Sequence, residues 1–319
     1  MSRECSSAKA VARLLPLVAL LVLLISPAPA QAATPVGARV ALLSGSGDGA
    51  FDADVRQKLL RTGRFLEVDV IDIVRTTPTR NDLEQYDSVL VYTDCCRPAD
   101  PVGLGDVLAE YADAGGGVVL STFSWSGIEG LAVGGRITSP GYRVLSLGSQ
   151  TQDTPMTLVR DVPGHPLLAG VRSFSGGTSS YHSSPVRVAP GATLVAHWSV
   201  DDQPLVVARP APVGGGSIVG LNFYPASSDA REDLWAAETD GDVLLANALV
   251  EAAAPAVPTR KAQCERGGWR DLVDDRGRSF RSQGKCVAFV GQASRGQRPI
   301  ALDLPDGRAT GVRAPLLPA

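Results

Sequence analysis

An α/β fold with a mainly parallel sheet, a β-rich second half and a small disulfide-closed module behind it is what this sequence predicts. Three observations carry that reading. From Ala38 to about Thr122, short apolar runs alternate with amphipathic segments, the pattern of βαβ units with helices on both faces of a sheet. Beyond Gly127 the runs shorten and are separated by Gly, Pro and Ser. Near the end, Cys264 and Cys286 bracket a segment holding Trp269 and Phe280.

Arg39 to Ser44 reads as the first strand. Phe51, Val55 and Leu59 recur at helical spacing, with Asp52 near the start and Gly63 past the end, so a helix follows. Phe65 to Ile73 is the second strand and Ser88 to Asp94 the third. Leu104 to Ala114 is a helix stopped by Gly115-Gly116-Gly117, and Val118 to Thr122 the fourth strand. Short strands are then expected at Tyr142 to Leu147, Met156 to Val159, Val186 to Val188, Thr193 to His197, Leu205 to Ala208 and Ser217 to Phe223, continuing the same sheet. Asp242 to Ala252, with Val243, Leu244, Ala248 and Leu249 as its apolar positions, closes this 38–252 domain as a helix. Residues 253–262, containing Pro255 and Pro258, form a linker to a module at 263–290, and the Arg/Gly/Pro-rich tail 291–319 is expected to be partly ordered.

The opening residues 1–32 read as a secretory signal: basic Arg3, Lys9 and Arg13, an apolar run from Leu14 to Ile25, and the small-x-small site Ala30-Gln31-Ala32. That run falls short of the about 20 residues a bilayer demands, so no stable membrane span is expected after cleavage and the product is expected outside the cytoplasm. Without residues 1–32 the formal charge of −3 becomes −5. An acidic chain argues against nucleic acid, whose binders carry a basic stripe. The one local Arg excess, Arg266 to Lys285, is interleaved with Asp271, Asp274 and Asp275.

Four cysteines remain beyond the signal. Cys264 and Cys286 are expected to pair in an oxidising compartment. Cys95 and Cys96 are adjacent, and two buried thiols, a strained redox-labile disulfide and links to another chain all stay open.

His165-Pro166-Leu167-Leu168-Ala169-Gly170-Val171, the strand Gly216 to Pro225 and the helix Asp240 to Leu249 carry a resemblance. Over residues 38–252 the chain resembles the flavodoxin-like class I glutamine amidotransferase-like superfamily, in its trehalose-utilisation (ThuA-like) branch. In active amidotransferases the matching strand end reads Gly-x-Gln-Phe-His-Pro-Glu; here it reads Gly220-Leu221-Asn222-Phe223-Tyr224-Pro225-Ala226, so Tyr224 and Ala226 stand where the resemblance puts His and Glu. The nucleophile turn reads Ser121-Thr122-Phe123-Ser124-Trp125-Ser126-Gly127 and has no cysteine. Ser124 lacks the adjacent base a serine nucleophile needs. The resemblance therefore implies a scaffold that has lost its catalytic residues. The pattern Cys264-x-x-Gly-Gly-Trp269 … Phe280-x-x-Gln-Gly-x-Cys286-Val-x-Phe289 is similar to a short element appended to many exported bacterial proteins, read here as a disulfide-stapled hairpin with Trp269, Phe280 and Phe289 as its core.

Ligand-binding candidates are Asp94, Ser124, Trp125, Tyr224 and His165. An aromatic among hydroxyls and a carboxylate suits a sugar ring, although Trp125 reads equally as core. No metal or cofactor is expected: His165, His182 and His197 are scattered, and Asp48, Asp52 and Asp54 read as helix-start acids because no bidentate Glu completes a calcium loop. Gly45-Ser46-Gly47-Asp48-Gly49 reads as a tight turn, lacking the Lys-Ser/Thr of a phosphate loop. Together these features predict an exported, non-catalytic binding or interaction protein whose partner is a carbohydrate or a cell-surface protein. The alternative is a secreted hydrolase or carbohydrate-active enzyme working at the carboxyl edge of the sheet through Asp94, Ser124 and His165.

Overall fold

Strands that are apolar on both faces can only be buried between two layers, and the centre of this molecule is built that way. The structure, a computed structural model, describes residues 37–212, 216–253, 258, 261–265, 267–270, 272–274 and 278–293. The expected signal segment 1–32, most of the linker and the tail from 294 onward lie outside the described residues.

Strands β1 (Ala38–Gly45), β2 (Phe65–Asp72), β3 (Ser88–Thr93) and β4 (Gly117–Ser121) are parallel, and β10 (Ser217–Leu221) pairs parallel with β4. Strands β9 (Pro204–Pro210), β8 (Thr193–Trp198) and β6 (Leu158–Arg160) extend the sheet antiparallel, giving the order β2-β1-β3-β4-β10-β9-β8-β6. Alternation decides which layer each residue joins. Val40, Leu42, Leu90, Tyr92 and Val119 face helices α1 (Gly49–Arg61) and α4 (Gly241–Ala253), through Val55, Leu59, Leu245 and Leu249. Their neighbours Ala41, Leu43, Val89, Val91 and Val118 face α3 (Pro101–Asp113), through Leu104, Leu108 and Tyr111. A one-turn helix α2 (Arg80–Leu83), which the periodicity misses, is set by a capping box between Thr79 and Asp82.

The β-rich half departs from its expected pattern in three places. Tyr142 to Leu147 is not a strand: Tyr142, Val144 and Leu145 are buried, but only Leu145 forms a bridge, to Val188. The strand expected at Val186 to Val188 lies earlier, as β7 (His182–Ser184), because Pro185 lacks an N–H for the ladder. It pairs with β5 (Ser149–Thr151) in a separate two-stranded sheet.

In the C-terminal module the Cys264–Cys286 disulfide is present. The expected hairpin is corrected to a helix, α5 (Gln283–Ala293), preceded by 3-10 turns at Lys261–Cys264 and Gly268–Arg270. Cys286, Phe289 and Val290 share one buried face at i, i+3, i+4, a helical spacing that the β-branched Val287 and Val290 disguise. Trp269 and Phe280 pack against that small core. Buried Gln263 donates from Nε2 to the Ala211 carbonyl of the α/β body (3.3 Å). Among the described residues no helix is long and apolar enough to cross a membrane.

Candidate functional site

Parallel strands deliver their carboxyl ends to one edge, and chain order reverses there between β1 and β3, the place where open α/β sheets bind ligands. Asp94 follows β3, Phe123 follows β4 and Tyr224 follows β10, so three strand ends bring these side chains together. They line a cleft of about 230 Å³ with Gln150 and Gln152 from β5 and its exit, Tyr181 from the entry to β7, and Arg231 from the β10–α4 loop.

Tyr224 is the unusual member. Its ring is buried among aromatics, edge-on to Phe51 (5.6 Å between centroids) and Tyr92 (6.1 Å) and tilted against Phe123 (6.2 Å). Its hydroxyl has no partner of hydrogen-bonding geometry among the described residues, although Asp94 lies close enough for each to shift the other's protonation. Burial first, and the Asp94 charge next, push the phenol far above its ordinary range, so it stays a neutral donor. Burial also raises the Asp94 carboxyl, against the lowering effects of the Tyr224 hydroxyl and the Arg231 charge. Neighbouring Tyr92, by contrast, is satisfied: it donates to Asp52 Oδ1 (2.7 Å), as do Ser44 (2.6 Å) and Ser46 (2.8 Å).

Arg231 is held over the Tyr181 ring (5.0 Å) and the Phe51 ring (5.5 Å) and donates from Nε to Asp233 Oδ1 (2.6 Å). Ser179 and Tyr181 hydroxyls also donate to Asp233 (3.0 and 3.1 Å). This wall of the cleft is therefore set by an internal network.

The remaining sequence candidates do not join the cleft. Ser124 is buried and donates from Oγ to the Val91 carbonyl (3.2 Å), with no titratable partner among the described residues. Trp125 is core: it is 4% exposed, packs in the α3 layer and donates from Nε1 to Asn222 Oδ1 (3.2 Å). One side of it lines a separate, mainly apolar cavity of about 300 Å³ with Leu120, Val144 and Leu145. His165 caps the turn Pro166–Leu168, whose Leu167 carbonyl accepts from Asn247 Nδ2 (3.1 Å); Asn247 in turn accepts from Arg64, just before β2, which puts His165 toward the opposite edge. His182 contacts Ser180 O and Asp201, and His197 contacts Asp161, so neither meets Ser124 or a cysteine.

Cys95 and Cys96 are unlinked, with Sγ atoms 2.9 Å apart, and the Cys95 thiol donates to Ser46 O (3.4 Å). The Cys96 thiol first, then burial, pushes Cys95 up to about 11, the reverse of an activated nucleophile. Gly47 is required beneath them: its φ is +67°, and a Cβ there would lie 2.5 Å from Cys96 Sγ. Asp48 accepts from Ala50 N as the cap of α1, and Asp54 accepts from Ser227 N (2.7 Å), so these helix-start acids serve the fold.

Asn222 is the residue sequence reasoning missed. Its Oδ1 accepts from Thr122 Oγ1, Trp125 Nε1 and Ser183 N, and its Nδ2 donates to the Ser183 and Pro204 carbonyls, all between 2.8 and 3.2 Å. One carboxamide thus ties the ends of β4 and β10 to β7 and the start of β9. Its signal was a buried polar residue inside an otherwise apolar strand end.

No family model matches the chain, and no curated protein matches it. Among solved structures it is similar to one described as "mmIFT52 N-terminal domain", at a TM-score of 0.43 and 11% identity, over 67% of this chain and 96% of that one. Nothing about function follows from a likeness at that level.

Proposed function

We propose that this chain is an exported, non-catalytic binding protein on an amidotransferase-like scaffold, and that its ligand is a carbohydrate seated in the cleft that Asp94 and Tyr224 line. One observation carries the reading: a buried Tyr224 hydroxyl beside Asp94, with no partner of hydrogen-bonding geometry among the described residues, lining a polar cleft. Leaving a buried hydroxyl unsatisfied costs about 1–3 kcal/mol, which a ligand acceptor would recover. The rest of the lining fits the same chemistry. The part-exposed Tyr181 offers an aromatic surface for a sugar ring, while Asp94, Gln150, Gln152 and Arg231 offer hydrogen bonds to its hydroxyl edge. The scaffold reading is supported by the strand order β2-β1-β3-β4-β10, with Tyr224, just past the end of β10, standing where the resemblance would put a histidine. Export is supported by the Cys264–Cys286 disulfide, which suits an oxidising compartment.

The test is a thermal-shift screen of the protein and its Asp94→Ala variant against monosaccharides, disaccharides and cell-wall fragments. A ligand at 100 times its dissociation constant adds about 2.7 kcal/mol, well within detection. The expected result is stabilisation by at least one sugar that disappears in the variant. Stabilisation by none, or turnover of a sugar that stabilises, overturns the proposal.

A further inference from the structure

The C-terminal region, residues 261–319, carries a charge opposite to the rest of the chain beyond the expected signal. Residues 261–319 hold eleven Lys or Arg against six Asp or Glu, whereas residues 33–260 hold sixteen against twenty-six. Part of that excess is organised around a cleft of about 520 Å³ beside α5. Phe280 and Phe289, in edge-to-face contact at 5.3 Å, form an aromatic wall, with Phe280 half-buried. Asp274 is the one acid lining it among the described residues, and Arg278 pairs with it (2.7 Å). Arg281 and Lys285 are exposed at the same cleft and have no ion pair among the described residues.

Their position is informative. Arg281 precedes α5 and Lys285 lies in its first turn, where unsatisfied N–H groups already supply partial positive charge and acids would stabilise the helix. No acid occupies that turn. Helix stability therefore does not explain two cations there, nor does the disulfide core, which neither joins. What remains, among the described residues, is a pair of cations without a paired acid beside an aromatic surface.

We propose that this cleft docks an acidic polysaccharide, its uronate carboxylates meeting Arg281 and Lys285 while a sugar face lies against Phe280. Carboxylates match the guanidinium fork and the ammonium, and the aromatic wall selects a sugar polymer over an arbitrary polyanion. This surface is separate from the Asp94–Tyr224 cleft and does not depend on its ligand.

The test measures binding of the full chain to polygalacturonate, to neutral dextran and to a DNA duplex at low salt and then at rising salt. An Arg281→Ser/Lys285→Ser double variant is run beside it, with its disulfide verified by intact mass. The expected result is binding of polygalacturonate alone, weakened steeply by salt and about tenfold or more by the double substitution. If the double variant loses its disulfide, Lys285→Gln alone decides, with a smaller loss expected. No binding at low salt, an affinity the variants leave unchanged, or DNA bound as tightly as the uronate polymer overturns the proposal.

Discussion

At the scale of single residues, Tyr224 and Asp94 make opposite demands on stability and on binding. Tyr224→Phe removes a hydroxyl with no partner of hydrogen-bonding geometry among the described residues and keeps the ring contacts with Phe51, Tyr92 and Phe123. Urea denaturation should therefore find the variant no less stable than the parent, and up to about 1 kcal/mol more so. Asp94 supplies a pH signature. A carboxyl raised by burial binds its proton more tightly in the folded chain than in the unfolded one, so its contribution favours folding in acid. That contribution is lost as pH climbs from about the ordinary 3.8 through the raised value. Asp94→Asn should thus be at least as stable as the parent at neutral pH, with its advantage shrinking as pH falls; a gap that widens in acid would contradict this. Both residues were legible in the sequence because each ends an apolar strand run. Arg231, Tyr181, Gln150 and Gln152 were not, because they reach the cleft from loops and from a two-stranded sheet whose placement no local pattern encodes. His165 was read toward the site from a motif match, but the turn it caps is held by Asn247 on α4.

At the scale of elements, close approach outweighs propensity in α3. Gly105→Ala would gain about 1 kcal/mol of helix propensity, yet its Cβ would come within 1.8 Å of the Gly134 carbonyl oxygen. Backbone cannot yield as a side-chain tip does, and overpacking of this kind costs about 1–3 kcal/mol. The net expectation is destabilisation by up to about 2 kcal/mol, read as a lower urea midpoint. For the C-terminal module, Cys264→Ser/Cys286→Ser removes a cross-link spanning 22 residues, a loss of about 3 kcal/mol on the chain-entropy model. Hydrogen exchange should show α5 amides losing protection while those of β1 and β3 keep theirs. The βαβ half was readable to within a few residues because strand and helix periods alternate cleanly there. Beyond it, β8, β9 and β10 lie within a few residues of their expected places, whereas β5 and β7 do not, since runs of three residues carry too few periods to fix their position. The same shortness let α5 pass for a hairpin strand.

At the scale of the whole molecule, an acidic α/β body presents a polar cleft at the carboxyl edge of its parallel strands, and a cationic module is tied to it in sequence. The layers were legible because strands apolar on both faces demand cover on both. The use made of the sheet edge was not, because a tyrosine at a strand end names no ligand. The direct measurement is calorimetric titration of a stabilising sugar into the parent protein and into Tyr224→Phe, both first verified as folded. A sugar site built on the unpartnered hydroxyl predicts saturable binding at one site per chain and an affinity about tenfold lower or worse in the variant, from the loss of one buried hydrogen bond. Equal affinity in the two proteins would contradict it and move the ligand away from Tyr224.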